Sequence, residues 1–261
     1  MNFNVRETPG NTDWFVHDRF GMFIHWGLYS LPARHEWVMN HERITNEDYK
    51  KYFDHFDPDL YDPKEWAAYA KKAGMKYAVL TTKHHEGFCL FDSEYTDFKA
   101  TNTKAGRDLV KEYVDAFRAE GIKIGFYYSL LDWHHPDFTI DYHHPRRDDT
   151  KEEIERFNKG RDMKRYAQYI RDQVTELLTN YGKIDLLWFD FSYVKGKDDW
   201  ESEKLIKLIR SIQPEIIINN RLGIDQDIWT PEQYQPEEWI TDDKGQRVVW
   251  EGCQTFSGSW G

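Results

Sequence analysis

A short apolar run that ends in an acid constrains the fold of this chain more than any other segment. The run covers residues 183–191 and reads KIDLLWFDF, with Gly182 before it and a polar stretch after it. Such a run is typical of a buried parallel strand. Side chains alternate along a strand, so we expect every second residue to share one face: Ile184, Leu186, Trp188 and Asp190. Asp190 would then either cap the following turn or serve the chemistry that barrels place at the carboxyl ends of their strands.

The order of helix, glycine, strand and polar cluster recurs along the chain. Besides 183–191, strands are predicted at 20–27, 77–82, 122–129 and 216–221, with weaker candidates at 228–232 and 248–253. Helices are predicted after Thr45, after Asp62, over 107–120, and around Met163–Leu177 and Leu205–Ile212. This alternation predicts an α/β fold with a parallel sheet of seven strands. The 261 residues fit a single (β/α)8-like barrel domain covering 1–261. No glycine-rich phosphate loop favours the doubly wound alternative.

Composition narrows the classes of partner. The net charge of −11 argues against nucleic acid and anionic membranes as partners and favours a small or neutral substrate. The two cysteines, Cys89 and Cys253, give no disulfide framework. No apolar run reaches membrane-spanning length, and the first ten residues lack the core of a signal peptide. We therefore expect a cytoplasmic protein, or a secreted or periplasmic one if a signal was removed.

Polar or aromatic groups stand at the carboxyl end of every predicted strand. They are His25–Trp26, His84–His85–Glu86, Tyr127–Tyr128, Trp188 with Asp190, Asn220–Arg221, Glu232 and Glu251. One such residue alone would be typical of a buried polar group with a hydrogen-bond partner. The whole set would converge on one end of a barrel.

The set suits glycoside hydrolysis, which needs two carboxyl groups beside the glycosidic bond. Asp190 supplies one, and Glu232 and Glu251 compete for the other. Histidines supply hydroxyl-binding nitrogens without a full charge. Arg221 could lower the pKa of a neighbouring carboxylate and keep it ionised.

A metal-dependent hydrolase is the rival interpretation, because the chain has 11 histidines. The pairs His134–His135 and His143–His144 lie in a predicted polar loop, 132–160, that is long enough to be a functional or mobile lid. Each pair precedes a proline, which predicts extended, solvated turns. His84 and His85 should point to opposite faces of a strand. Without H-E-x-x-H or cysteine spacings, we expect no metal and no other cofactor.

Several segments, in order, resemble the catalytic barrel of the α-L-fucosidases, glycoside hydrolase family 29. They are FGMFIHWGLYS, HEW, KHHEGFCLFDS, GFYYSLLDW, LLWFDF, NNR and a C-terminal WE, and the resemblance extends from Trp14 to Gly261. It implies a retaining exo-enzyme that releases α-linked L-fucose through a covalent fucosyl–aspartate, without a metal.

The resemblance also implies individual roles. Asp190 corresponds to the nucleophile. The acid/base varies in position within the family, and Glu232 is our first choice. Glu251 is the second choice, with a structural role in binding nearby backbone as its alternative. The remaining residues would bind substrate: His25, Glu36, Trp37, His84, His85, Tyr127 (with Tyr128 as the adjacent register), Trp188 and Arg221.

Family members usually continue through a last strand and helix into a β-sandwich domain. We therefore expect an incomplete barrel here, with an open edge that a second copy of the chain covers as a homo-oligomer. The alternative function is a non-catalytic fucose-binding protein left by truncation of such an enzyme.

Overall fold

The strands form one parallel sheet in chain order. The computed structural model describes residues 4–255 and 257–261. Its strands are β1 Gly21–Ile24, β2 Tyr77–Lys83, β3 Lys123–Ser129, β4 Leu186–Asp190 and β5 Ile217–Ile218. They follow the order β1-β2-β3-β4-β5, and each neighbouring pair is parallel. The predicted α/β class with a parallel sheet is confirmed.

Helices connect the strands. They are α1 Asp13–Asp18, α2 Val38–His41, α3 Asn46–Asp54, α4 Pro63–Lys72, α5 Leu109–Ala119, α6 Lys151–Asn158, α7 Met163–Thr179 and α8 Ser202–Ile212. The predicted helix starts are confirmed at Thr45 and Asp62, whose side chains accept hydrogen bonds from first-turn N–H groups. No helix in the described part of the chain is both long and apolar enough to cross a bilayer.

The prediction of seven strands is wrong for the residues that the structure describes. The two weaker candidates form only isolated parallel bridges, Asn219–Ile228, Trp229–Trp250 and Glu232–Cys253. Pro231 interrupts the first of these segments and has no N–H to donate to a ladder, which explains why continuous pairing fails there. The bridges nevertheless continue the strand order beyond β5.

The prediction that 132–160 is irregular throughout is also wrong. Residues 151–158 form α6, which begins with a reciprocal capping box between Thr150 and Glu153. The expectation that the histidine pairs are solvated turns is wrong in part, because only His134 is exposed. His144 is buried, and the His135 ring packs 4.3 Å from that of Tyr169. Aromatic packing therefore outweighs the polar composition of this segment.

Two apolar clusters lie on opposite faces of the sheet. The inner cluster includes Val79, Tyr127, Leu186, Trp188 and Ile217, whereas Leu80, Phe126, Leu187 and Phe189 pack outward with the helices. Leu186 and Trp188 thus share the inner face, as the alternation predicted. The inclusion of Ile184 was wrong, because Ile184 precedes β4 and belongs to the outer cluster.

A buried ion pair fastens two loops at the carboxyl end of the sheet. Lys83 Nζ lies 3.2 Å from Asp132 Oδ2, and both side chains are at most 2% exposed. The ammonium also lies 4.4 Å from the centre of the Tyr128 ring. Asp132 Oδ1 accepts hydrogen bonds from the backbone N–H groups of His134 and His135. The loops after β2 and β3 are therefore held to each other by charge.

We expect Lys83→Met to lower the free energy of unfolding by about 3–5 kcal/mol, because it leaves the Asp132 carboxylate buried without its partner. Lys123→Met is the matched control, since Lys123 pairs with Asp18 at the other end of the sheet and its side chain is 34% exposed. That change should cost less than about 1 kcal/mol. Urea unfolding measures both.

The double variant Lys83→Met/Asp132→Asn should recover part of the loss. Its asparagine removes the unpaired charge and retains an oxygen for the two N–H groups of the loop. Equal losses in Lys83→Met and Lys123→Met would contradict the importance of the buried pair.

Candidate active site

A cavity of about 360 Å³ opens at the carboxyl ends of the strands. Nine of the eleven predicted site residues line it: His25, Trp37, His84, His85, Tyr127, Trp188, Asp190, Arg221 and Glu232. Five further residues complete the wall: Phe23, Phe191, Tyr193, Cys253 and Trp260. Glu36 and Glu251 do not line the cavity.

Asp190 ends β4 and is held by two donors. Tyr127 donates its hydroxyl to Asp190 Oδ2 at 2.8 Å, and Arg221 donates to Oδ1 at 3.0 Å. Tyr128 instead donates to Gln173 on the outer side of the sheet, so the structure brings Tyr127 to the carboxylate. Burial raises the pKa of Asp190, and Arg221 and Tyr127 lower it by less. Arg221 lowers the pKa of Asp190, as expected, but burial raises that pKa by more.

Arg221 joins Asp190 to a second carboxylate. While one terminal nitrogen binds Asp190, the other donates to Glu232 Oε2 at 2.7 Å. The Arg221 guanidinium lies 5.1 Å from the centre of the Trp188 ring, and the residue is only 4% exposed. Burial lowers the pKa of Arg221, and the nearby Asp190 and Glu232 raise it by more. The Glu232 side chain is 45% exposed and faces the open side of the site.

Glu251 lies behind the cavity wall. Its Oε2 accepts the indole N–H of Trp188 at 2.8 Å and lies 3.5 Å from the hydroxyl of Thr230. Burial raises the pKa of Glu251, and the Trp188 hydrogen bond lowers it by less. In this geometry the carboxylate orients the Trp188 ring. Its partners are side chains rather than the backbone that we expected for a structural role.

His84 and His85 lie side by side in the cavity. Their ring centres are 4.0 Å apart, which contradicts the expectation that they would point to opposite faces. The physical reason is that β2 ends at Lys83, so strand alternation no longer applies to the next two residues. Gly87 then adopts a φ of +85° and turns the chain. Glu86, a residue with no predicted role, lies 3.3 Å from His84 Nδ1.

The hydrogen bonds around His85 define which nitrogen faces the cavity as an acceptor. Ser129 donates its hydroxyl to the carbonyl of Leu131 at 2.9 Å and lies 2.6 Å from His85 Nδ1. Since the serine proton is already used, Nδ1 is the donor of this pair. His85 Nε2 then carries the lone pair, 3.8 Å from Asp190 Oδ2. Burial and the neighbouring His84 hold the pKa values of both His25 and His85 well below their usual value.

The loop after β1 contributes Trp37 but not Glu36. The Trp37 ring packs 4.8 Å from that of His85 and 5.2 Å from that of Phe191. Glu36 instead accepts hydrogen bonds from the backbone N–H groups of Trp260 and Gly261, both at 3.1 Å. This contact brings the Trp260 ring over His25, with ring centres 5.5 Å apart. Glu36 therefore positions a wall residue, and its direct contact with a substrate stays a prediction.

Sequence reasoning missed Phe191, Tyr193 and Trp260. Alternation predicts that Phe191 points away from Asp190, but its φ of +75° reverses that direction. No sequence signal marks this conformation in a phenylalanine. Within residues 4–255 and 257–261, no group of three or more histidine, cysteine, aspartate or glutamate side chains has the arrangement to hold a metal ion.

Comparisons with known proteins agree on one family. The family model described as Alpha-L-fucosidase matches residues 3–261. The structure of alpha-L-fucosidase isoenzyme 1 from Paenibacillus thiaminolyticus is 55% identical, with a TM-score of 0.91 over 96% of this chain and 62% of its own. A GH29 alpha-L-fucosidase from Bacteroides thetaiotaomicron, solved as a trapped covalent intermediate with 2-fluoro-fucosyl fluoride, is 30% identical, with a TM-score of 0.81 over 99% of this chain and 62% of its own.

A curated relative, the alpha-L-fucosidase of Dictyostelium discoideum, is 28% identical over 99% of this chain and 58% of its own length. The chain thus spans less than two thirds of the length of these relatives. By the family model and by the structural similarity, the chain belongs to the alpha-L-fucosidase family.

Proposed function

We propose that this chain is a retaining exo-α-L-fucosidase in which Asp190 is the nucleophile. The observation that carries the proposal is the carboxylate pair at the cavity, Asp190 and Glu232, bound by one guanidinium. One arginine can span two carboxyl groups only when they are separated by several ångströms, on the order of the spacing in glycosidase pairs. The covalent intermediate trapped in the Bacteroides thetaiotaomicron relative supports a retaining mechanism.

The reaction proceeds in two displacements. Asp190 forms a bond to the anomeric carbon of the fucoside while the bond to the leaving oxygen breaks, and the acid donates its proton to that oxygen. A water molecule then attacks the anomeric carbon, gives its proton to the same residue, and frees Asp190 and L-fucose. Tyr127 and Arg221 stabilise the Asp190 carboxylate before attack and after release.

Glu232 is the better candidate for the acid/base. It lines the cavity on the open side, where a leaving group can depart, whereas Glu251 lies behind Trp188. The raised pKa of Glu251 suits an acid, but a general acid must first be within reach of the oxygen it protonates. Access therefore favours Glu232.

The bottom of the cavity suits a neutral sugar. His25 and His85 are held uncharged by burial, so each ring has one donor nitrogen and one acceptor nitrogen. For His85, the acceptor is Nε2 and the donor is already engaged by Ser129. The alternative of a fucose-binding protein without turnover is less well supported, because two carboxyl groups suited to the reaction are present.

We also propose that the whole chain is one domain that forms an incomplete (β/α)8-like barrel. Parallel bridges continue the strand order from Asn219 to Ile228, from Trp229 to Trp250, and from Glu232 to Cys253. The ring of Trp260 then lies 6.5 Å from that of Phe23, in β1, where the sheet began. The chain thus curves back toward β1, as in a barrel, while β1 pairs only with β2 in the described residues and keeps an open edge.

Turnover of an aryl α-L-fucoside tests the proposed roles. Asp190→Ala should reduce kcat more than about 10⁴-fold, because the covalent step is lost. Glu232→Ala should reduce it about 10²–10⁴-fold, and azide should restore part of the rate, since azide needs no base in the second step. Glu251→Ala is the matched control and should not respond to azide. Azide rescue of Glu251→Ala instead would assign the acid/base to Glu251, and an inactive wild type would contradict the proposed function.

The neutral histidines predict a pH dependence of stability. Above pH of about 6.5 an unfolded histidine is also neutral, so the two states bind equal numbers of protons. Below that pH only the unfolded state takes up protons at His25 and His85, because their folded pKa values are lowered. The free energy of unfolding should then fall by up to about 1.4 kcal/mol per pH unit for each residue.

Urea unfolding at several pH values measures this slope. His85→Gln should have a flatter slope than the wild type below pH of about 6.5. His17→Gln is the control, because the His17 side chain is 86% exposed. A His85→Gln slope equal to that of the wild type would show that His85 takes up a proton in the folded state.

We further propose that a second copy of the chain covers β1. In the described residues β1 is an edge strand that pairs only with β2. A second cavity of about 400 Å³ lies along it, lined in part by Met22, Ile24, Trp66 and Tyr69. An apolar edge with free backbone groups favours pairing with another chain.

Light scattering should find a dimer or larger assembly for the wild type. Tyr69→Glu should shift the chain toward monomer, because it places a charge in the apolar edge. Tyr95→Glu changes an exposed tyrosine elsewhere and should leave the assembly intact. A monomeric wild type in dilute solution would contradict the proposed homo-oligomer.

A further inference from the structure

The residue after Asp190 has an uncommon backbone conformation. Phe191 has a φ of +75°, in a region that L-amino acids with bulky side chains rarely adopt. Such a conformation persists when the surroundings compensate for the strain, and it is most frequent at functional sites. Its consequence here is geometric. Asp190 and Phe191 both line the cavity, although neighbouring residues of a strand would point in opposite directions.

The Phe191 ring is fixed by aromatic neighbours. Its centre lies 5.2 Å from the ring centres of both Trp37 and His85, and 4.6 Å from that of His143. Tyr193 packs against the remaining side of Phe191, with ring centres 5.0 Å apart and an interplanar angle of 80°. Tyr193 is nevertheless 60% exposed. The Tyr193 ring is thus supported by Phe191 on one side and exposed at the mouth of the cavity.

Tyr193 lies on the same side of the cavity as the acid/base candidate. The Arg221 guanidinium that binds both carboxylates is 5.6 Å from the centre of the Tyr193 ring. Glu232 is also partly exposed, whereas His84, His85 and Tyr127 at the other end are buried. If the fucose ring occupies the buried end, its leaving group extends past Glu232 toward Tyr193.

We propose that Tyr193 is the binding platform for the ring of the leaving group, either a pyranose whose C–H face stacks on it or an aryl ring. This inference rests on the proposed fucosidase activity, and it adds which residue determines leaving-group preference. The supported ring loses little freedom on binding, because Phe191 already holds it in place. A flat, exposed ring requires no particular hydroxyl pattern, so the platform favours ring-shaped leaving groups over small ones.

Two substrates that share the fucose and differ in the leaving group test the platform. One is a fucosyl disaccharide, whose leaving group is a pyranose, and the other is α-L-fucosyl fluoride, whose leaving group is a single atom. We expect Tyr193→Ala to lower the ratio of kcat/KM for the disaccharide to kcat/KM for the fluoride about tenfold, mostly through KM. Tyr193→Phe retains the ring and should keep the ratio of the wild type.

Tyr95→Ala removes an exposed tyrosine that does not line the cavity and serves as the control. Thermal melting should give the same Tm for this variant and for Tyr193→Ala, since both side chains are exposed. An unchanged ratio in Tyr193→Ala would overturn the platform, as would an equal loss of the ratio in Tyr193→Phe. A wild type that releases no fluoride would overturn the fucosidase activity itself, and the platform with it.

Discussion

The shared guanidinium of Arg221 is the contact on which the rest of the site depends. A buried arginine is unfavourable unless carboxylates and hydrogen bonds compensate for the water it has lost. Here Asp190 and Glu232 provide two carboxylates and Thr230 provides a backbone carbonyl at 3.2 Å. These partners come from β4 and from the chain after β5. One side chain therefore fixes the relative position of the two groups between which a glycosidic bond would lie.

The charges inside the cavity are kept few by burial. Asp190 has a raised pKa because burial outweighs its two donors, so its carboxylate is more basic than an exposed one. The neighbouring His25 and His85 are held neutral, which avoids a second cation beside Arg221. Their polar atoms remain available to hydroxyl groups. A site with one cation and two carboxyl groups suits the neutral, hydroxyl-rich substrate proposed here better than an anionic one.

The sequence predicted the fold correctly within the strands, where side chains alternate between the two faces of the sheet. Alternation along β4 correctly placed Trp188 on the same face as Asp190. The rule that parallel strands end at one edge brought together residues from the ends of β1 to β5 or from just beyond them. The same alternation gave wrong side-chain directions for residues just beyond the strand ends. His84 and His85 share a cavity because β2 has already ended, and Phe191 faces inward because its φ is positive. Nothing in the side-chain pattern reports either backbone change.

Long-range contacts explain the other differences. Glu36 is bound by the N–H groups of Trp260 and Gly261, which are 224 and 225 positions away in the chain, so its sequence neighbours cannot indicate its role. Glu251 lies behind Trp188, whereas Glu232 lines the cavity and is bound by Arg221. By contrast, α6 carried a local signal in the Thr150 and Glu153 capping box. Local rules therefore determine the elements, and contacts between distant residues determine which carboxylate can act.

The site residues just beyond the strand ends, His84, His85 and Phe191, are held in place by contacts with neighbouring loops. The loop that presents His84 and His85 is tied through Lys83 and Asp132 to the loop after β3, and the Trp133 N–H binds the His85 carbonyl at 2.8 Å. Phe191 keeps its strained backbone within a cage of rings from three loops. Aromatic packing thus compensates for the unfavourable conformation of Phe191, and a buried ion pair holds the loop of His84 and His85 in place. The rigidity of the sheet is thereby extended into the loops, where the proposed chemistry requires fixed side chains.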